Sequence, residues 1–268
     1  MLMKRVITAV IALAIFGSAL FLLPQVAWAL LLLVVLALGA HEWSVLATYG
    51  SGARIAYSAL IVASAAALYW LPADARMTDI AAFSASVAFW LLIAPFWLVQ
   101  RWTIRNPIVL GAAGWIALVP MWLALVRMQP TPWALLVVMS VVWIADTAAY
   151  AAGKMFGRHK LAPLISPGKT WEGAAGAAVG VLIYYGALVL LVDPETRYFA
   201  TGVGVALFLL ILVLSIEGDL FESWLKRQAG VKDSGQLLPG HGGILDRIDG
   251  LTATMPLAAL AIQLSLMR

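Results

Sequence analysis

Nine apolar runs, each approaching twenty residues, follow one another along this chain of 268: Val6 to Leu23, then about 26–47, 54–72, 79–98, 107–127, 132–152, 173–192, 200–217 and 251–267. A helix of ~20 residues crosses a ~30 Å hydrocarbon core. Lipid offers backbone amides no partner, so each run must satisfy its own hydrogen bonds as a helix. The expectation is an all-α, polytopic integral membrane protein of about nine transmembrane helices, with residues 1–268 forming a single membrane domain. Charged residues make up 11% of the chain, against about 25% in soluble domains, which leaves no room for a separate soluble domain. The absence of cysteine excludes disulfides, thiolate catalysis and cysteine-ligated metals. Nothing in the modest net charge of +4 reads as nucleic-acid binding.

The first run follows Met3-Lys4-Arg5 and precedes Ala27-Trp28-Ala29, the outline of a cleaved signal peptide. Its 18 apolar residues exceed the ~7–15 of a signal core, which predicts a retained first helix. Lys and Arg then set the orientation. Only Arg76, Arg127, Arg197 and Arg268, four of seventeen bases, fall on one side; the other side takes the remaining thirteen. This puts the N-terminus and both long polar connections, 153–172 and 218–250, in the cytoplasm, and the C-terminus outside. Trp43, Trp70, Trp97, Trp102, Trp133 and Trp171 stand at span boundaries, as interfacial anchors should. Pro95 and Pro120 lie late in their spans, where they would kink them. Gly173, Gly176 and Gly180 give one helix a small face for close packing. No strand pattern is evident. His41 and Glu42, near the end of the second span, read as an interfacial pair.

The polar residues are spent unevenly. Glu217 to Gly250, 34 positions, contain six of the thirteen acids (Glu217, Asp219, Glu222, Asp233, Asp246 and Asp249) and four of the bases (Lys226, Arg227, Lys232 and Arg247). If the preceding helix continues past the bilayer, Asp219, Glu222, Ser223 and Lys226 fall at i, i+3, i+4 and i+7, on one face. Asp246 and Asp249 are also three apart, at the mouth of the last helix. Two facing carboxylate pairs would make an all-oxygen pocket suited to a hard cation such as Mg²⁺. Between them, Pro239-Gly240-His241-Gly242-Gly243 lets backbone N–H groups approach an anion closely. Carboxylates, bases and a glycine loop together point to metal-assisted phosphate chemistry. A solvated loop obeying the charge rule would explain the bases, but not acids at helical spacing beside them.

Two further features lie upstream. Asp146 sits inside an apolar span, where a carboxylate is expensive and faces a polar cavity or a partner. The loop from Gly153 to Glu172 carries Lys154, Arg158, His159, Lys160 and Lys169. Gly168-Lys169-Thr170 is not a P-loop, because Pro163 stands where that motif needs glycine and no strand precedes it. Thr170 reads instead as a helix N-cap, with Glu172 in the first turn.

The run from Ser223 to Asp249, SWLKRQAGVKDSGQLLPGHGGILDRID, resembles the signature of the CDP-diacylglycerol synthases (phosphatidate cytidylyltransferases), S-x-apolar-K-R-x4-K-D-x-small-x2-apolar-P-x-H-G-G-apolar-x-D-R-apolar-D, at every fixed position. Two family-like blocks precede it, Asp146 to Arg158 and Ser166 to Gly173, so about 133–268 carries the catalytic motifs. The resemblance implies cytidylyl transfer from CTP to phosphatidate, with both substrates and membrane lipids as partners and a homodimer as the assembly. It implies Mg²⁺, with a second, monovalent cation, held among Asp219, Asp246 and Asp249, then Asp146 and Glu222. Asp219, Asp246, Lys226, Arg247 and His241 are the implied catalytic residues. Lys169, Ser223, Arg227, Lys232, Asp233, Gly242 and Gly243 are the implied substrate contacts. His241 reads equally as an acid or base and as a loop-shaping residue. The implied location is a bacterial cytoplasmic (inner) membrane with the site facing the cytoplasm. A transporter with a cytoplasmic polar gate is the alternative, but it would place charged or broken-helix features at mid-bilayer in several spans. The pattern of the phosphoalcohol transferases that consume CDP-diacylglycerol is absent, since Asp249-Gly250 runs into Leu251-Thr252-Ala253-Thr254 without its arginine.

Overall fold

The computed structural model describes residues 13–70, 74–191, 202–237 and 242–265. Its elements are α1 (Leu13–Leu22), α2 (Gln25–Leu46), α3 (Ser51–Trp70), α4 (Ala75–Ala88), α5 (Ala94–Gln100), α6 (Pro107–Met128), α7 (Pro132–Phe156), β1 (Lys160–Ala162), β2 (Ser166–Thr170), α8 (Trp171–Leu191), α9 (Gly202–Gln228) and α10 (Leu245–Ser265). Among the described residues, eight helical segments are long and apolar enough to cross a membrane, α4 and α5 counting as one. The protein is a polytopic membrane protein. Of the expected first span, α1 is the described part, and its beginning lies outside the described residues.

The last helix is the hub. α10 packs against α9, α6 and α4 and also touches α7 and α2. Every residue from Gly250 to Ala259 is buried. Burying the chain's last span at the centre means that the acids at its N-terminus, Asp246 and Asp249, are delivered to the middle of one end of the bundle. At the opposite end of the same helix, Gln263 meets an ion pair between Arg127 Nε and Asp79 Oδ2, 2.8 Å apart.

Local chemistry accounts for the breaks. Between α4 and α5 the helix widens into a π turn, Phe89–Ile93. Pro95 follows at once, and its missing N–H and its ring cannot join a regular ladder. α6, by contrast, runs unbroken through Pro120. Gly176 and Gly180 let α8 close onto α7: a Cβ there would stand 2.2 Å from Ala152 Cβ and 2.8 Å from Ala148 Cβ. The small face read from the sequence is therefore the α7–α8 contact.

Two readings change. Trp43 and Trp97, expected at the membrane interface, are each 2% exposed. Their indoles donate to Leu110 O and Trp102 O, and both rings pack against Phe221 of α9 along with Phe89 and Trp90. This aromatic cage fixes α9 at the residue before Glu222. The polar connection expected to be strand-free contains the antiparallel hairpin β1–β2, with Lys160 opposite Thr170 and Ala162 opposite Ser166. Its strands, of 3 and 5 residues, are too short to show an alternating pattern.

Candidate active site

α9 continues as one helix to Gln228, so the expected polar stripe forms. Ser223 Oγ donates to Asp219 Oδ1 at 3.2 Å, and Lys226 Nζ to Glu222 Oε2 at 2.6 Å, two i,i+4 pairs side by side. Lys226 also reaches across to α10, donating to Asp246 Oδ1 at 2.5 Å. One ammonium thus serves two carboxylates, and the second oxygen of Glu222 is buried with no partner.

The hairpin brings the other connection to the same face. Lys169 of β2 lies 2.7 Å from Asp219 Oδ2 and donates to Ile216 O at 3.3 Å. Arg227 Nε donates to Ile165 O at 3.2 Å, tying the tip of the hairpin to the end of α9. Thr170 caps α8 as expected, its hydroxyl accepting from Gly173 N–H at 3.1 Å. Glu172 accepts from the Arg158 and His159 amides and contacts the His159 ring at 2.6 Å. The hairpin is therefore fixed at its base and its tip, with Lys169 between.

Asp146 of α7, Asp219 of α9 and Asp249 of α10 lie within electrostatic reach of one another, with Lys169 and Arg247 acting on Asp146 as well. Three acids from three helices thus repel across a common space. Asp246 is committed differently: its Oδ2 accepts from Gly243 N–H at 2.8 Å and from Ser234 N–H at 3.0 Å, and faces the Ser234 hydroxyl at 2.9 Å. Gly242, at φ +78°, makes the left-handed turn that aims the next amide at Asp246. Lys232, Asp233 and Arg247 are exposed around this loop. His241 lies outside the described residues.

The sequence reading missed two members of this assembly. Ser234, an unspecified position of the signature, bonds both Asp246 and Glu42. Glu42 does not face the headgroups: it is 3% exposed and accepts from Ile244 N–H at 3.0 Å and Leu245 N–H at 2.7 Å. An acid beside Trp43 in a span was the available signal, since a carboxylate there needs donors.

Among the described residues, no three His, Asp or Glu side chains already form a metal cage. The donor chemistry nevertheless fits a hard cation: carboxylate oxygens only, three of the acids mutually repelling, and a buried unpaired oxygen on Glu222.

Beside the site, between α5, the hairpin, α8 and α9, runs a largely apolar groove of about 870 Å³. Leu98, Leu164, Ala178, Leu212 and Val213 line it, and Glu217, two residues from Asp219, stands in its wall.

The sequence pattern of the Cytidylyltransferase family matches residues 3–265. The chain belongs to that family. A phosphatidate cytidylyltransferase of Pseudomonas aeruginosa is 39% identical over 279 residues, covering 97% of this chain and 96% of its own. One from Haemophilus influenzae is 32% identical and covers 96% of each chain. One from Brucella suis reaches 52% over 124 residues, 45% of this chain and 43% of its own. For a member of the cytidylyltransferase family, the neighbourhood of fixed bases, clustered carboxylates and an apolar groove is chemically apt. The bases match phosphate oxygens, the carboxylates match a cation, and the groove matches a hydrocarbon.

Proposed function

We infer that this chain transfers the cytidylyl group of CTP to phosphatidate, releasing pyrophosphate and forming CDP-diacylglycerol. A phosphate oxygen of phosphatidate attacks the α-phosphorus of CTP; that P–O bond forms as the bond from the α-phosphorus to the bridging oxygen breaks, and pyrophosphate leaves. The nucleophile is already anionic near neutral pH, so no strong base is required. The obstacle is bringing several negative groups together and stabilising the leaving group. Mg²⁺, held by Asp219 and Asp249 with Asp146, Asp246 and Glu222 close by, would neutralise part of that charge. Lys169, Lys226, Arg227, Lys232 and Arg247 supply the remaining positive charge, with the amides of Gly242 and Gly243 beside them. Arg-to-phosphate contacts can be bidentate, which fixes orientation as well as charge.

The observation that carries this reading is the juxtaposition of Lys169, Asp219 and the apolar groove. Lys169 is bound to the carbonyl of Ile216 and the carboxylate of Asp219, and Ile216 itself lines the groove. A lipid lying there would present its headgroup to the bases. The positive-inside count supports a site facing the cytoplasm, where CTP is found, in a bacterial inner membrane. The test is purified protein in lipid nanodiscs with α-labelled CTP, phosphatidate and Mg²⁺. Label should appear in the organic phase as CDP-diacylglycerol with equimolar pyrophosphate, and EDTA should stop it. Label that never enters the lipid phase would refute the assignment.

A further inference from the structure

Glu42 lies 202 and 203 positions from the two amides it binds. Among the described residues its three donors are neutral: the Ile244 and Leu245 N–H groups and, at 3.0 Å, the Ser234 hydroxyl. Those amides open α10, one residue before Asp246. Two glycines also make room for this carboxylate. A Cβ on Gly235 would stand 2.3 Å from Glu42 Oε1, and one on Gly243 would stand 2.4 Å from Oε2. Ser234 then links Glu42 to Asp246, since its hydroxyl lies 3.0 Å from the first and 2.9 Å from the second. A hydroxyl has one proton, so it can serve only one of the two acids at a time. Asp246 in turn bonds Lys226.

We propose that Glu42 is a positioning residue, which sets Ser234, Gly243 and the start of α10 so that Asp246, Arg247 and Lys226 meet the triphosphate in register. The proposal rests on the reading of the site as a CTP site. Glu42 touches no reacting group. It acts through the loop, because its two oxygens occupy amides that would otherwise be unsatisfied where α10 begins. An amide in its place keeps the size but turns an NH₂ toward a backbone N–H or the Ser234 hydroxyl.

The test uses full-length protein in nanodiscs, with Mg²⁺-dependent CTP binding measured by calorimetry without phosphatidate, and steady-state kinetics with it. In Glu42→Gln, CTP binding should weaken on the order of 10- to 100-fold, the range for one lost bond to a charged group. The KM for phosphatidate should stay within about twofold of wild type, since the apolar groove lies between α8 and α9. A merely structural role would shift the melting temperature and lower both affinities together. Gly235→Ala offers a second route that leaves Glu42 in the chain: its Cβ should displace the carboxylate and reproduce the CTP defect. In a Glu42→Ala background the same change should cost nothing further. Unchanged CTP binding in both Glu42→Gln and Gly235→Ala overturns the proposal, as does an equal loss for both substrates. If wild type itself binds no CTP, the functional reading falls and this inference falls with it.

Discussion

Lys226→Met is the sharpest probe of the ion cluster, because it keeps an unbranched apolar stem and removes the ammonium, with its charge and its bonds to Glu222 and Asp246. The Lys226 side chain is 12% exposed, and its ammonium lies 2.6 Å from Glu222, whose side chain is 3% exposed, and 2.5 Å from Asp246, whose side chain is 8% exposed. Removing one partner of a buried pair costs about 3–5 kcal/mol, because the charge left behind is no longer compensated. Asp246 retains the Gly243 and Ser234 amides, so the deficit falls on Glu222, whose other oxygen is already unpaired. The lower end of the range is therefore expected, about 3 kcal/mol. For a chain of this size that corresponds to a fall in Tm of roughly 6–12 °C. The assay is thermal unfolding of wild type and variant in identical nanodiscs, followed by tryptophan fluorescence, with cytidylyl transfer measured on the same samples. Adding Glu222→Gln removes the abandoned charge, so the double variant should recover most of the melting temperature but none of the turnover. A single variant melting within ~2 °C of wild type would refute the reasoning about burial. A double variant with restored turnover would refute the role given to the base.

Asp219→Asn should abolish transfer while the protein still inserts, melts normally and is extracted as wild type; near-normal turnover would remove Asp219 from the cation site. Val213→Trp places an indole on the wall of the 870 Å³ groove, and the KM for phosphatidate should rise several-fold while CTP binding is unaltered. A rise in both would mean that the groove is not a separate lipid subsite.

The spans were legible because a membrane helix announces itself through some twenty consecutive residues, a signal that needs no partner to be read. The stripe on α9 was legible for a related reason. Asp219 and Ser223, and Glu222 and Lys226, are neighbours by helical spacing alone, and the structure bonds both pairs. The small face of α8 was also visible, since only close approach to another helix favours glycine at Gly176 and Gly180. What the stripe could not say is which acid would face which. Asp249, rather than Asp246, lies in reach of Asp219 and Asp146, while Asp246 is tied to Lys226, Ser234 and Gly243. That division depends on the rotation of α10 against α9, and no residue pattern encodes it.

Two of the residues that were misread, Trp43 and Glu42, share one physical property: the partners that bury them are far away in the chain. Trp43 at the end of a span has the same local setting whether its indole meets headgroups or, as here, the carbonyl of Leu110 and the ring of Phe221. Glu42 beside it is read as interfacial for the same reason, because the donors that hold it lie 192 to 203 positions away. Yet the loop held a trace of it. Gly242 is required by its positive φ, but Gly235 and Gly243 are required by what occupies the space a Cβ would take: Glu42 at both, with the Ser234 hydroxyl beside it at Gly243. Gly235 and Gly243, both ahead of the acidic start of α10, leave the room that the buried Glu42 side chain of α2 takes up. A carboxylate that fills such a space must also accept from the amides exposed there, and Glu42 does both.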